Sequence, residues 1–286
     1  MEIKRENEFL IFEIDQQNAG QRVREFLQTF HLSKKKIHQL YMDKSLKIND
    51  YLQVGDQVAI PVFKKEELDF QPQKMNLDIV YEDDHLLILN KPAGIKIHPD
   101  TKDGQGTLVN GVAYYYQEQG IHHRIRYIHR LDIETTGGII FAKHYLAHSL
   151  LDYWLSQKMI KRQYLALVAG RLKNKKGKIE APIGKDRHHP SRRRVSKNGD
   201  YALTYYQVKK QYQTSALVEL ELATGRTHQI RVHLSHIGHP ILGDSLYGEN
   251  TNRRHALHSH KIQLQHPILD VPLAFTIPLP EDMIID

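Results

Sequence analysis

The order of apolar segments predicts an α+β fold with a central mixed, largely antiparallel sheet flanked by helices and loops. Three observations carry this. Helical spacing is confined to a few separated stretches, such as Thr107–Gln119 and His144–Gln157. Short apolar or alternating runs, such as Gly138–Lys143 and Tyr201–Ala223, supply most of the remaining core. No βαβ period repeats along the chain, so a largely antiparallel sheet is expected.

The elements follow in order. Gly20 opens a turn, and Val23, Phe26, Leu27 and Phe30 then recur at helical spacing. Ser33 is placed as the N-cap of a second helix, Lys34–Met42. Leu46 with Ile48, and Val54, Val58 and Ile60, read as short strands about a Gly55–Asp56 turn, closed by Pro61. These form a small unit over residues 1–70, followed by a larger domain over 71–286. In the larger part Asp78–Asn90 reads as strand, turn, strand, and Lys91–Pro92–Ala93–Gly94 as a tight turn. Ile160–Ala169 is a strand, Tyr201–Ala223 two strands around Lys209–Thr214, and Thr227–Ile237 a helix. The end, His255–Pro280, reads as short strands punctuated by prolines.

Composition narrows the chemistry. The 286 residues include no cysteine, which excludes disulfide scaffolds, Cys-ligated zinc, iron–sulfur clusters and thiol nucleophiles. No apolar leader or run of membrane-spanning length is visible, so a cytoplasmic protein with no membrane partner is expected. Lys and Arg outnumber Asp and Glu by 40 to 33, a formal charge of +7. That excess is local. Residues 158–197 hold 14 basic and 2 acidic side chains, so the rest of the chain is net negative. A segment of that density, with Arg192, Arg193 and Arg194 in a row, points to contact with a polyanion.

Three segments carry candidate chemistry. In His129–Arg130–Leu131–Asp132–Ile133–Glu134–Thr135–Thr136–Gly137–Gly138, a carboxylate precedes a buried strand across glycines. Asp132 could cap its own turn or face a cleft that the glycines leave open. Tyr164, in Lys161–Val168, is either plain core or a ring and hydroxyl placed in a pocket. In the third segment, Gly225–Gly248, Arg231 shares its helix with the packed Ile230, Leu234 and Ile237. It therefore needs a carboxylate partner, and Asp132 is a candidate.

Together these segments resemble the RluA-like pseudouridine synthases of RNA. The resemblance rests on H-R-L-D-x-x-T-T-G at 129–137, the Tyr164 strand, G-R-T-H-Q-I-R-V-H at 225–233 with G-H-P-I-L-G-D-S-L-Y-G at 238–248, and N-K-P-A-G at 90–94. It covers residues 75–280 in the right order, and four independent segments are far more specific than one short motif. The N-terminal unit is similar, more loosely, to a small RNA-binding module named after a ribosomal protein, contracted over Lys44–Asn49.

The resemblance implies the pseudouridine synthase fold and isomerisation of uridine in ribosomal or transfer RNA by a monomer. It implies that Asp132 is the essential carboxylate, acting as nucleophile or base at the ribose. It implies that Tyr164 stacks on a flipped uracil and that Arg231 holds Asp132. Arg130 would fill the space the flipped nucleotide leaves, and His129, Arg226, Gln229, Arg192, Arg193 and Arg194 would bind substrate. Extrusion of the base and its stacking on an aromatic ring, worth about 1–3 kcal/mol, suit this chemistry. No cofactor and no metal are expected, because the rearrangement involves no redox change. Two rival readings are a metal site built from His228, His233, His236, His239, His255, His258 and His260, and a non-catalytic RNA-binding factor. The first lacks H-E-x-x-H and neighbouring carboxylates. The second is disfavoured because Asp132, Tyr164 and Arg231 are all present.

Overall fold

The computed structural model describes residues 1–42, 46, 50–101, 103–249 and 253–284. The elements run β1 (Glu2–Glu6), β2 (Phe9–Glu13), α1 (Val23–Thr29), α2 (Lys34–Met42), β3 (Gln57–Ile60), β4 (Ile79–Glu82) and β5 (Leu86–Lys91). They continue with α3 (Leu108–Glu118), β6 (Arg126–Tyr127), β7 (Thr136–Ala142), α4 (Tyr145–Ser156), β8 (Lys161–Ala169), β9 (Lys176–Glu180), β10 (Ile183–Lys185) and β11 (Arg193–Val195). The last are β12 (Leu203–Gln211), β13 (Ser215–Leu222), α5 (Gln229–His236), β14 (Leu257–Gln265) and β15 (Pro272–Thr276). The fold is α+β.

At the N-terminus β1, β2 and β3 form a three-stranded antiparallel sheet. Its first two strands escape sequence reading for different reasons. β1, Glu-Ile-Lys-Arg-Glu, is an edge strand with almost no apolar content. β2, Phe-Leu-Ile-Phe-Glu, is a continuous apolar run too short to classify by period. Phe12, Phe26 and Phe30 meet with ring centroids 5.1–5.6 Å apart and close this small core. Leu146, Leu150 and Ile268 belong to the same cluster, so the unit packs directly on α4. Ser33 caps α2 as expected, its hydroxyl accepting from the Lys36 N–H at 3.1 Å. Of the segment about Leu46 and Ile48, read as a strand and as the site of contraction, only Leu46 lies among the described residues.

The main sheet is ordered β4-β5-β7-β14-β8-β13-β12-β9, with β6 on β7 and β15 on β14. Every pairing is antiparallel except β7 with β14. β7 is buried along its whole length, because both faces of the sheet are covered. Ile139 and Phe141 pack with α3 residues such as Val109 and Val112. The alternate residues Ile140 and Ala142 pack with Ala147 and Leu151 of α4. That two-sided burial is why the strand reads as a solid apolar run.

The short parallel contact fixes where β7 begins. Thr136 and Gly137 pair with His258 and Ser259. Gly137 has φ of +104°, and a Cβ there would stand 2.3 Å from the Ser259 carbonyl oxygen. Only glycine meets both conditions. The loop carrying Asp132 is thus held against the middle of the sheet.

The basic segment is spread over several parts of the fold. Lys173, Lys175, Lys176 and Lys178 lie on or beside β9, the exposed edge of the sheet, where lysines discourage edge-to-edge pairing. Of the 14 basic residues, Lys158 and Arg162 line the cleft described below.

Candidate active site

A cleft of about 1460 Å³ opens across the face of the sheet. Its lining includes His129, Arg130, Asp132, Arg162, Tyr164, Arg226, His228 and Arg231. Residues predicted from three distant segments are therefore gathered in one place.

Arg231 is the hub. Its Nη1 donates to Asp132 Oδ2 at 2.9 Å, while Nε and Nη2 donate to the two oxygens of Asp244 at 2.7 and 2.8 Å. The Arg231 side chain is 6% exposed, that of Asp244 0% and that of Asp132 28%. The gradient matters: Asp244 is a buried anchor, whereas Asp132 presents a carboxylate to the cleft. Burial opposes ionisation of both Arg231 and Asp244. Their mutual ion pair overcomes it, raising the Arg231 pKa and lowering that of Asp244. Asp244 also accepts from the backbone N–H groups of Leu246 and Tyr247. Gly243 makes this turn possible, with φ of +77° and the Arg254 carbonyl oxygen 2.2 Å from where a Cβ would be.

The Asp132 loop is pinned through its backbone. Lys91 is fully buried, and its Nζ donates to the carbonyls of Pro92, Ile95 and Ile133 at 2.7–3.0 Å. Burial brings its pKa down to about 8, opposed by the nearby Glu134 and Asp132. The Gly94 N–H also donates to Ile133 O, so the N-K-P-A-G turn clamps the residue after Asp132. Arg254 donates to Glu134 O and is itself held by Asp282. Thr135 bonds the His255 ring at 2.8 Å.

The remaining predicted residues divide. Tyr164 is buried on β8 and lines the cleft. Arg130 is exposed at its rim. Arg226 is exposed, donating through Nε to Tyr201 O. Arg192, Arg193 and Arg194 do not line the cleft, although the preceding Ser191 does. Arg192 lies over the Tyr247 ring, and the Arg193 N–H donates to the Tyr247 hydroxyl. Gln229, expected among the substrate-binding residues, is buried outside the cleft lining. Its amide is spent on Thr224, Arg226 N, Leu203 O and Thr204, so it tethers α5 to β12 rather than reaching ligand.

Sequence reading also missed residues. Asp244, Tyr247 and Lys91 lay inside quoted motifs without a role, and His228 was weighed only as a metal ligand. The helix expected from Thr227 starts at Gln229, because His228 adopts the left-handed conformation, φ +58°. That backbone turn sets its ring between Tyr247, at 2.9 Å, and Asp132, at 3.9 Å. Burial holds the His228 pKa below its ordinary value, with Asp132 opposing.

Four of the seven histidines weighed as metal ligands bond to different protein groups. His233 meets Thr204 and Ala181 O, His239 meets Ala169 O, His255 meets Thr135, and His258 meets Thr136. Among the described residues, no group of three or more His, Cys, Asp or Glu could hold a metal ion.

Comparison with known proteins is specific. Residues 85–236 match the RNA pseudouridylate synthase family, and residues 10–54 match the RluD ribosomal pseudouridine synthase N-terminal domain. An uncharacterized RNA pseudouridine synthase of Bacillus subtilis (strain 168), YhcT, is 46% identical, covering 94% of this chain and 93% of its own. Ribosomal large subunit pseudouridine synthase D of Escherichia coli (strain K12) is 36% identical, covering 80% and 75%. The solved human RNA pseudouridylate synthase domain containing 4 superposes with a TM-score of 0.61 at 25% identity, over 72% of this chain and 90% of that one. With the quoted motifs folded around one carboxylate-bearing cleft, a family model matching residues 85–236, and relatives matched over 80–94% of the chain, this protein belongs to the RNA pseudouridylate synthase family, the isomerases that convert uridine in RNA to pseudouridine.

Proposed function

We propose that the substrate is ribosomal RNA and that Asp132 is the catalytic carboxylate. The observation that carries this reading is the Arg231 hub: it holds the partly exposed Asp132 carboxylate at 2.9 Å inside a cleft that Tyr164 also lines. The target uridine leaves the RNA stack to reach it. Tyr164 supplies the aromatic platform, and Asp132 acts at the ribose. The glycosidic C–N bond breaks, the uracil turns, and a C–C bond forms at C5. The hydrogen on C5 departs as a proton while N1 gains one, so atoms balance without a cofactor. His129, Arg130 and Arg226 contact RNA at the cleft, and Arg192, Arg193 and Arg194 extend that surface.

Ribosomal RNA is favoured over transfer RNA because relatives matched over most of the chain carry ribosomal large subunit names. Cytoplasmic location follows from such a substrate. The unit over 1–70 and the catalytic domain over 71–286 act together as a monomer. The test is tritium release from transcripts labelled at uridine C5. Large-subunit ribosomal RNA should release tritium and transfer RNA should not. Release confined to transfer RNA would overturn the substrate assignment, and full release by Asp132→Asn would overturn the role of Asp132.

A further inference from the structure

Four of the eight Lys and Arg that line the cleft have a carboxylate partner, and Arg130, Lys158 and Arg253 are exposed to solvent. Arg231 pairs with Asp132 and Asp244, Arg254 with Asp282, Lys96 with Asp100, and Arg226 lies 3.8 Å from Asp200. Arg162 differs. It is half-buried, lines the cleft, and its side chain makes no hydrogen bond or ion pair with any described residue. Its Nε is buried without a partner. His129, 6% exposed, lines the same cleft within range of the Arg162 charge; its ring nitrogens make no side-chain hydrogen bond, and the Arg130 backbone is their polar neighbour. Native interiors rarely leave such groups unsatisfied, and a site awaiting a ligand is one reason they do.

Both side chains are aimed by regular structure. Arg162 and Tyr164 lie two residues apart on β8, so they share one face of the strand. The step between them is about 6.6 Å, the scale of the distance from a nucleobase to its own backbone phosphate. His129 enters from the Asp132 loop. Burial, reinforced by the adjacent Arg162 charge, drives its pKa well below the ordinary range, so the ring stays neutral and offers one N–H. A guanidinium fork beside a neutral N–H donor, with no carboxylate in hydrogen-bonding range, is complementary to an anion with several acceptor oxygens.

We propose that Arg162 and His129 form a phosphodiester-binding subsite inside the cleft, gripping the backbone of the RNA strand that carries the flipped uridine. The subsite rests on the pseudouridine synthase reading above, and it adds to that reading a grip on the backbone beside Tyr164. Arg162 supplies the charge and His129 a neutral hydrogen bond. The two residues therefore differ in their response to salt.

The test uses the full chain and an unmodified large-subunit ribosomal RNA transcript, with binding read by filter retention across a salt series and turnover by tritium release. Arg162→Gln should weaken binding about ten- to hundredfold and reduce the log–log salt slope by about one. Arg162→Lys should restore the slope while recovering only part of the affinity, because it lacks the fork. His129→Phe should weaken binding about three- to tenfold with the slope unchanged. Equal slopes for wild type and Arg162→Gln would overturn the subsite, as would lost thermal stability in both Arg162 variants at an unchanged slope, which marks a structural role. Failure of the wild type to release tritium counts instead against the catalytic reading, and binding still reports on Arg162.

Discussion

Arg231 and Asp244 form a two-point ion pair at 2.7 and 2.8 Å, sealed from solvent, and the same guanidinium reaches Asp132 with its third nitrogen. The charge that orients the cleft carboxylate is thus positioned from behind by a second carboxylate. Removing one partner of a buried pair costs about 3–5 kcal/mol. Asp244→Ala should therefore lower Tm by many degrees and lower kcat with it. An unchanged melting curve would show that Arg231 is held by something else.

Asp132→Asn should behave oppositely. Tritium release should vanish, while stability changes by no more than about 1 kcal/mol, since Arg231 keeps Asp244 and the lost pair is partly exposed. RNA binding should persist. Thermal melting, filter binding and tritium release on one preparation separate these effects, and residual turnover sinks the role of Asp132.

Gly137→Ala should destabilise the protein by about 3 kcal/mol or more, because the added methyl meets the Ser259 carbonyl at 2.3 Å in a positive-φ conformation. The Asp132 loop should shift with it. The predicted signature is a reduced denaturation midpoint with an unchanged m-value.

Stability should fall as the pH drops from 6.5 toward 4. Burial brings His85, His123, His255 and His258 down to about 4, against an ordinary 6.5. In that window the unfolded chain binds more protons than the folded one, so acid favours unfolding by about 1.4 kcal/mol per pH unit for each group. Denaturant titrations at pH 7, 6 and 5 check the slope. A flat profile would mean that these rings are not held neutral.

Replacing Arg192, Arg193 and Arg194 together with Gln should lower RNA affinity and flatten its salt dependence. By contrast, replacing Lys173, Lys175 and Lys176, near the sheet edge at β9, should promote self-association more than it weakens RNA binding. Filter binding and light scattering on the two triple variants distinguish these two parts of the basic segment.

Much of the site was legible because its chemistry is local. Asp132 stands before an apolar strand, Tyr164 begins another, and Arg231 shares a helix with Ile230 and Leu234 and so required a carboxylate. Gln229 misled for the complementary reason. An amide beside a catalytic motif reads as a ligand contact until its four hydrogen-bonding partners are seen on β12 and the loop before α5. β1 and β2 were hidden because a polar edge strand and a short apolar run carry no period.

The sequence by itself determined the fold class, the family and which carboxylate, ring and guanidinium to watch, since these follow from residue order and spacing. The tertiary structure alone decided how they are held. Asp244 behind Arg231, Lys91 beneath the Asp132 loop, and the unpaired Arg162 beside His129 are relations between residues far apart in the chain or on separate elements. Their strength depends on burial, which sets the cost of leaving a charge unpaired, and burial exists only once the sheet has brought the loops together.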